Sequence, residues 1–492
     1  MKNKLPYCNP LSIEDVKSGR WLDYDQVGKD PRTGTDYRSI SDPSVIYHDG
    51  KWILYPSYAV AYVSEDFVNW KHVDIGISNL RYSPAVVQFR GKWYLSGHGM
   101  SEVYCADDPL GPFTLCGHMT DLHGNLMEVA DGCYLNDGDQ LYFYWFGAEA
   151  EPTGVDAEHV YGTLGAQCDP EAPWKLITEP VWINKFDPSR QWQRFGEHNQ
   201  NERLGWIEGQ WMIKLGKRYY LLYSGSGTRF GSYANGVAYS DEGPLSGFVP
   251  QTRHDPLTRK PHGLMRGAGH GCIAKGPNNT LWTFYTCIFC YHHSFERRIG
   301  MDPIGIDENG ELFCPEVTET PQYAPGVLPN PELGNSAGLL PLTFMQVPTV
   351  SSAVSGRDGI YATDDSVLTW WQPEHDDPLK CITVPLDTQL GYRIESIRII
   401  WRDAGMETLD GINPGPFRYV VEYLSPEDPE NWKCLVDASE NKADLCIDYR
   451  QFSPVIATDL RMRILGSPKG IEPALVSFTA FGKAVHAFPD VQ

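Results

Sequence analysis

Three acidic residues in this chain sit where they could do chemistry together: Asp42 in "SDPS", Asp131 in "EVADGCYLNDG" and Glu208 in "GWIEGQWMIKLGK". Each precedes the glycine of its own turn by nearly the same distance. Asp42 is eight residues before Gly50, Asp131 seven before Gly138 and Glu208 eight before Gly216. Acids at equal offsets in equivalent units face one another at a common depth, whereas an ordinary acidic turn has no reason to follow the register of its unit. Opposed carboxyls suit cleavage of a glycosidic bond: one protonates the leaving oxygen while the other, ionised, activates water across the sugar ring. Glu208 lies between Trp206 and Trp211, an apolar setting that raises a carboxyl pKa and keeps it protonated near neutrality. Asp42 has Ser41 and Ser44 beside it and is expected to stay ionised. Asp131 would orient the acid and help it hold its proton by like-charge repulsion.

The elements that must position these acids recur along the first 325 residues. A glycine or asparagine turn between aromatic runs appears as "HDGKWILYPS", "FRGKWYLSGH", "NDGDQLYFYW", "KLGKRYYLLYSG" and "GPNNTLWTFYT". Four of these hairpins are followed by a further strand, an acidic turn and a proline or aromatic closure, as in "AYVSEDFVNW" and "VAYSDEGPLSGF". A hairpin plus outer strands makes a small antiparallel sheet that cannot bury a face alone. Five copies stacked around an axis predict a five-bladed β-propeller over residues 1–325, with the acids at the mouths of inner strands. A Pro/Gly/Asn-rich linker is expected over 326–342, within "YAPGVLPNPELGNSAGLLP". Beyond it, "CITVPLD", "IESIRIIW", "FRYVVEYL", "LRMRILG" and "ALVSFTAFG" read as alternating strands of a separate β-sandwich over 343–492.

Composition agrees with an all-β chain. Its 492 residues include 15 Trp, 27 Tyr, 19 Phe, 47 Gly and 37 Pro. Lys plus Arg number 41 against 63 Asp plus Glu, and a net charge of −22 repels phosphate backbones and anionic bilayers. Neither nucleic acid nor membrane is therefore an expected partner. No segment approaches the roughly 18 apolar residues of a membrane helix. No signal peptide opens the sequence, so a cytoplasmic location is expected if Met1 is the natural start. The twelve cysteines include Cys287 and Cys290 in an apolar "CIFC", read as buried free thiols because no second ligand pair for zinc accompanies them.

"SDPSVIYHDGKWIL", "YSPAVVQFRGKWYL", "ADGCYLNDG", "IEGQWMIKLGKRYYLLYSG", "GAGHGCIAKGPNN" and "RRIGMDPIGIDENGEL", in this order, resemble a family 43 glycoside hydrolase. The resemblance implies a five-bladed propeller and an inverting, exo-acting hydrolase. The expected activity is α-L-arabinofuranosidase or β-xylosidase, on oligosaccharides or glycosides. It implies Asp42 as general base, Glu208 as general acid and Asp131 as the residue that orients and tunes the acid. Arg297 matches a substrate-binding arginine, with Arg298 beside it as the competing candidate; Tyr82 and Trp206 are expected to contact sugar. His270, counted with the substrate-binding residues, matches a histidine near the axis that often lies beside a cation, here expected through water. A structural calcium or sodium ion is thus an option, and no cofactor is needed for the chemistry. Tyr82-Ser83-Pro84 stands where the family commonly has Trp-Ala-Pro, and Asp131-Gly132 where it usually has Asp-Pro.

Alternative readings are a β-galactofuranosidase or exo-galactanase on the same scaffold, a retaining fructan hydrolase, or a non-catalytic sugar-binding protein. Tyr58 and Tyr62 could line the pocket or fill the space between blades. The C-terminal region, about 345–483, resembles discoidin-like domains, the fold of many carbohydrate-binding modules. That likeness implies Trp370 in the core and Trp371 less buried, with a weak cation-loop pattern from Asp358 to Asp365. Sugar binding and a purely packing role for this region both stay open, as does the oligomeric state.

Overall fold

The computed structural model describes residues 6–15, 39–78, 80–150, 159–289, 296–323, 335–386, 391–402, 415–468 and 470–485. Cys290, residues 324–325 and residues 326–334 of the expected linker lie outside them. Among the described residues the helical pieces are short 3-10 turns, and no helix is long and apolar enough to cross a membrane.

Five antiparallel sheets follow one another along the chain. Blade 1 runs Ser44–His48, Lys51–Tyr55, Ala61–Ser64, Lys71–Val73; blade 2 runs Ala85–Phe89, Lys92–Ser96, Glu102–Ala106, Thr114–His118. Blade 3 is Cys133–Asp137, Gln140–Ala150, His159–Asp169 and Ala172–Leu176, with Val181–Lys185 added against its third strand. Blade 4 starts with Glu208–Leu215, Arg218–Gly225 and Ala234–Ser240, and blade 5 with Arg266–Lys275, Leu281–Ile288 and Arg297–Ile306. The aromatic runs after each turn form the second strands. Their rings fill five apolar seams, one between each pair of neighbouring blades, and the seam between blades 5 and 1 closes the ring. Each large side chain fully buried in a seam contributes about 1.5–3 kcal/mol. Tyr58 and Tyr62 belong to the closing seam with Trp52, Phe67 and Trp282, so they fill between blades.

The hairpins use two turn types, and this corrects the offset rule. Blade 1 turns on Asp49 and Gly50, both left-handed, the type I′ arrangement; blades 3 and 4 put the glycine first, at Gly138 and Gly216. Counted back from the pair that closes each hairpin, Asp42 and Asp131 both stand six residues away, but Glu208 stands seven. The sixth position in blade 4 is Gly209. Asp42, Ser83, Asp131 and Gly209 are all left-handed, with φ of 51°, 45°, 51° and 65°. Only the glycine adopts this conformation without steric cost, so the three other residues are held there by their surroundings. A Cβ at Gly209 would also come within 3.0 Å of the His270 ring.

A strap formed by residues 6–15 closes blade 5. Pro6–Tyr7 pairs with Gln322–Tyr323, Leu11 N–H donates to Ile299 O at 2.8 Å, and the buried Asn9 side chain bonds both N–H and C=O of Met301. The C-terminal region is a sandwich of two sheets. In one, Leu340–Pro341, Leu475–Ala484, Tyr392–Trp401 and Ile447–Ala457 lie side by side. The other orders Thr349–Val350, Cys381–Pro385, Asp459–Gly466, Arg418–Ser425 and Asp428–Ala438. The first strand of the sandwich, Leu340–Pro341 in the former sheet, thus falls inside the stretch expected as linker.

Trp371 is fully buried in the sandwich core, whereas Trp370 packs with Leu264 and Phe289 of the propeller, under the guanidinium groups of Arg357 and Arg402. The expected order of burial is therefore reversed: successive residues of an extended chain face opposite ways, and it is Trp371 that faces inward. Arg398, also buried, donates to Asn9 O and Glu319 O and reaches Asp365. The Asp364 carboxylate accepts from Thr369. Both acids at the end of the suspected cation loop thus have protein partners.

Candidate active site

The inner strands of blades 1, 3, 4 and 5 deliver Asp42, Asp131, Glu208 and His270 to one mouth of the propeller. Asp42 is buried and heavily bonded. Arg297 forks onto it, Nη2 donating to Oδ2 at 2.8 Å and Nη1 to Oδ1 at 3.1 Å, while the Ser41 and Ser57 hydroxyls donate to Oδ2. Its own N–H donates to Thr286 Oγ1, tying the left-handed residue to blade 5. Burial pushes the carboxyl up, but Arg297, His270 and Ser57 outweigh it and hold Asp42 below the ordinary aspartate range. Of the two serines read beside Asp42, only Ser41 touches its carboxylate; Ser44 donates instead to Pro84 O.

Arg297 is therefore bound to a protein carboxylate and to Thr228 Oγ1 rather than presented as a sugar ligand. A buried guanidinium needs a fixed anion, and Asp42 supplies it. Arg298 turns elsewhere, its guanidinium 5.5 Å from the Phe289 ring centroid.

Among the described residues no cationic side chain is bonded to Glu208. The Trp206 indole N–H donates to Oε2 at 2.6 Å and the Tyr233 hydroxyl to Oε1 at 2.8 Å. Burial, and then the nearby charge of Asp131, push its pKa up to about 8, against the opposing effect of those two bonds. The raised acid was expected, but its cause differs from the reading of two flanking tryptophans. Trp206 is a hydrogen-bond donor, and Trp211, beyond a bulge in the strand, lines the opposite end of the channel. Trp206 also stacks on Phe146 and lies 4.8 Å from the Tyr161 ring, making a half-buried aromatic shelf beside the acid.

Asp131 and His270 lie between the two corners. His270 Nε2 is 3.0 Å from Ser83 Oγ, and Nδ1 is 3.4 Å from Asp42 Oδ1 and 3.9 Å from Asp131 Oδ2. Asp131 accepts from Gly209 N–H and lies 2.8 Å from His98 Nδ1. Burial opposes its ionisation, yet His270 and His98 hold its pKa well below the usual range. A Cβ at the following Gly132 would fall 2.4 Å from the Phe143 ring, which explains why a bulkier residue is missing there. Among the described residues no group of three or more His, Cys, Asp or Glu is arranged to hold a metal directly, and the cation expected beside His270 is one reached through water.

Tyr82 stands at the mouth, beside Arg297 and His98. It is half-buried, 5.7 Å from the Arg297 guanidinium and edge-on to His98. Ser57, Thr286, Tyr233 and His98 are the site residues that sequence reasoning missed. The first three sit at the inner ends of second or third strands, beside segments already singled out; His98, in "SGHGM", carried no signal.

A propeller whose mouth holds one carboxylate displaced downward and another displaced upward is built for acid–base work on a bound substrate. Residues 20–312, more than half of the chain, match the family model "Glycosyl hydrolases family 43". The chain belongs to that family and is a glycoside hydrolase.

Among solved structures it is similar to a thermostable family-43 glycoside hydrolase, at 19% identity and TM-score 0.50, over 65% of this chain and 100% of that one. At such identity the likeness speaks for the fold alone. Others are an α-L-arabinofuranosidase from Lactobacillus brevis (18% identity, TM-score 0.46, 63% of this chain and 96% of that one) and a xylan β-1,4-xylosidase from Bacillus halodurans C-125 (14%, 0.47, 97% and 99%). No curated protein matches the chain.

Proposed function

We propose that the protein is an inverting, exo-acting glycosidase that removes terminal pentose-type residues, an α-L-arabinofuranosidase or β-xylosidase. Asp42 takes a proton from water as that water's oxygen bonds to the anomeric carbon. The bond from that carbon to the leaving oxygen breaks, and Glu208 gives its proton to that oxygen. The product sugar carries the opposite anomeric configuration, and proton exchange with solvent restores both carboxyls. Asp131 keeps Glu208 protonated and Arg297 keeps Asp42 ionised and oriented. The observation that carries this reading is the opposite displacement of the two carboxyls, Asp42 down and Glu208 up to about 8, within one mouth. The choice of a pentose rests on the resemblance of the family's motifs.

The test is release of nitrophenol from p-nitrophenyl α-L-arabinofuranoside, β-xyloside and β-galactofuranoside by wild type and Glu208→Gln, with the first-formed anomer read by NMR. Turnover of one pentoside with inversion, lost in the variant, supports the proposal. Retention, or turnover of the galactofuranoside alone, overturns it.

A further inference from the structure

We propose that His98 is a substrate-binding residue, its Nε2 hydrogen-bonding a hydroxyl of the terminal sugar held between Asp42 and Glu208. The register of the blades puts it at the mouth. The N–H groups of Ser57, His98 and Phe146 donate to the carbonyls of Ser41, Tyr82 and Ala130 at 2.7, 2.8 and 2.9 Å. Each acceptor directly precedes a left-handed residue, Asp42, Ser83 or Asp131. The three donors are thus register equivalents, each six residues after the first residue of its blade's second strand. Two of them already act in the site: Ser57 bonds the Asp42 carboxylate, and Phe146 stacks on Trp206. His98 holds the same position in blade 2, where Ser83 stands in place of an acid.

The two nitrogens of its ring are placed differently. Nδ1 lies 2.8 Å from Asp131 Oδ1. Asp131 is held well below the usual carboxylate range by His270 and His98, so at neutral pH it is ionised and can only accept. Nδ1 therefore carries the hydrogen, and Nε2 of the neutral ring carries the lone pair. Among the described residues nothing hydrogen-bonds Nε2, and it keeps contact with solvent on a side chain that is 34% exposed. Tyr82 meets the ring edge-on, with centroids 6.1 Å apart. Anchored to Asp131 and flanked by Tyr82, the imidazole presents Nε2 in a fixed direction, so a ligand that uses it pays little ordering entropy.

A sugar bound at this mouth brings the matching group. A hydroxyl both donates and accepts, so it gives its hydrogen to the Nε2 lone pair, or accepts from Nε2–H when the ring is protonated. An apolar or blocked substituent at the same place on the sugar would leave Nε2 without a partner. His98 therefore selects for a free hydroxyl there, in the way that a site built to bond a hydroxyl rejects an analogue lacking it. The contact rests on the proposed function, because it takes the sugar to lie between the two carboxyls.

The experiment compares two isosteres in the full chain. In His98→Asn the amide nitrogen takes the place of Nδ1, which keeps a donor for Asp131 and removes Nε2. In His98→Gln the amide group reaches the place of Nε2, and the bond to Asp131 is lost. KM for the pentoside turned over, and the inhibition constant of the sugar released, are expected to rise about 2–12-fold in His98→Asn, the worth of one hydrogen bond, and less in His98→Gln. A residue that only positions Asp131 gives the reverse order, because Asn retains that bond. Any order other than the expected one overturns the proposal. If the variants fail to fold, carbethoxylation of His98 by diethyl pyrocarbonate in the unsubstituted chain, located by peptide mass spectrometry, decides instead. L-Arabinose, D-xylose or D-galactose is expected to slow it, and no slowing by any of the three overturns the contact. Silence of the wild type on the glycoside panel overturns the activity reading alone, and the protection experiment still decides the role of His98.

Discussion

Asp42 and Glu208 enter the same mouth from the inner strands of blades 1 and 4, with blade 5 between them on one side of the ring, and the protein treats them in opposite ways. Asp42 receives a guanidinium fork, two hydroxyls and a backbone tether; Glu208 receives one indole and one phenol, with Asp131 nearby. Desolvation acts upward on both. Only the Asp42 corner contains enough positive charge and donors to reverse it. Identical chemistry can thus be split into a base and an acid by what surrounds it, and the split is what makes both roles available at one pH.

The largest effect should come from removing the proton donor. Glu208→Gln is expected to lower kcat by about 10²–10⁴-fold on substrates with poor leaving groups and much less on dinitrophenyl glycosides, which need little protonation. Steady-state kinetics on the two substrate types checks this, and equal losses on both would break the assignment.

Arg297→Met strips the Asp42 corner of its charge and should make it behave like the Glu208 corner. On the proposed mechanism Asp42 must be ionised, so the acid limb of kcat/KM is expected below the ordinary aspartate range in the wild type and higher in the variant. Breaking a buried pair should also cost about 3–5 kcal/mol in denaturant unfolding.

Asp131→Asn acts on the other corner. Glu208 holds its proton up to about 8 in the wild type, so on the proposed mechanism activity is expected to fall as pH rises through that value. Removing the adjacent negative charge eases that deprotonation, so the basic limb should fall by about one unit. Trp206→Phe gives the smallest change and the opposite sign. It removes a donor that favours the carboxylate, and the basic limb should rise by about half a unit. Opposite shifts from Asp131→Asn and Trp206→Phe would sharpen the comparison; parallel shifts would break it.

The repeat architecture was legible because a blade's hairpin is local: a glycine turn and its flanking aromatics lie within a dozen residues. The seams between blades followed from the same aromatics. What stayed hidden was backbone conformation and distant pairing. Nothing in "SDPS" announces that Asp42 is left-handed, because non-glycine residues reach that region only under tertiary constraint. Counting to glycines blurred two turn types and placed Glu208 one residue out of register. Arg297 was noticed, but its partner lies 255 residues away, and only the ring's closure brings them together. Trp370 and Trp371 were exchanged because adjacent positions on an extended chain take opposite faces, and the sequence does not say that the propeller covers one of them.

The strap at residues 6–15 has a consequence for how the enzyme is made. Pro6 pairs with Tyr323, so residues 6–7 wait for residues 322–323, among the last pieces of the propeller, to be made. At about 5–20 residues per second that interval is roughly 15–60 s of synthesis. Contacts of such long range are slow to form, since loop closure must precede any reward. The Asp42–Arg297 pair belongs to the same closing seam, so the base acquires its counter-charge only when the fifth blade arrives. A chain that stops short of Arg297 therefore carries an Asp42 carboxylate without its guanidinium partner.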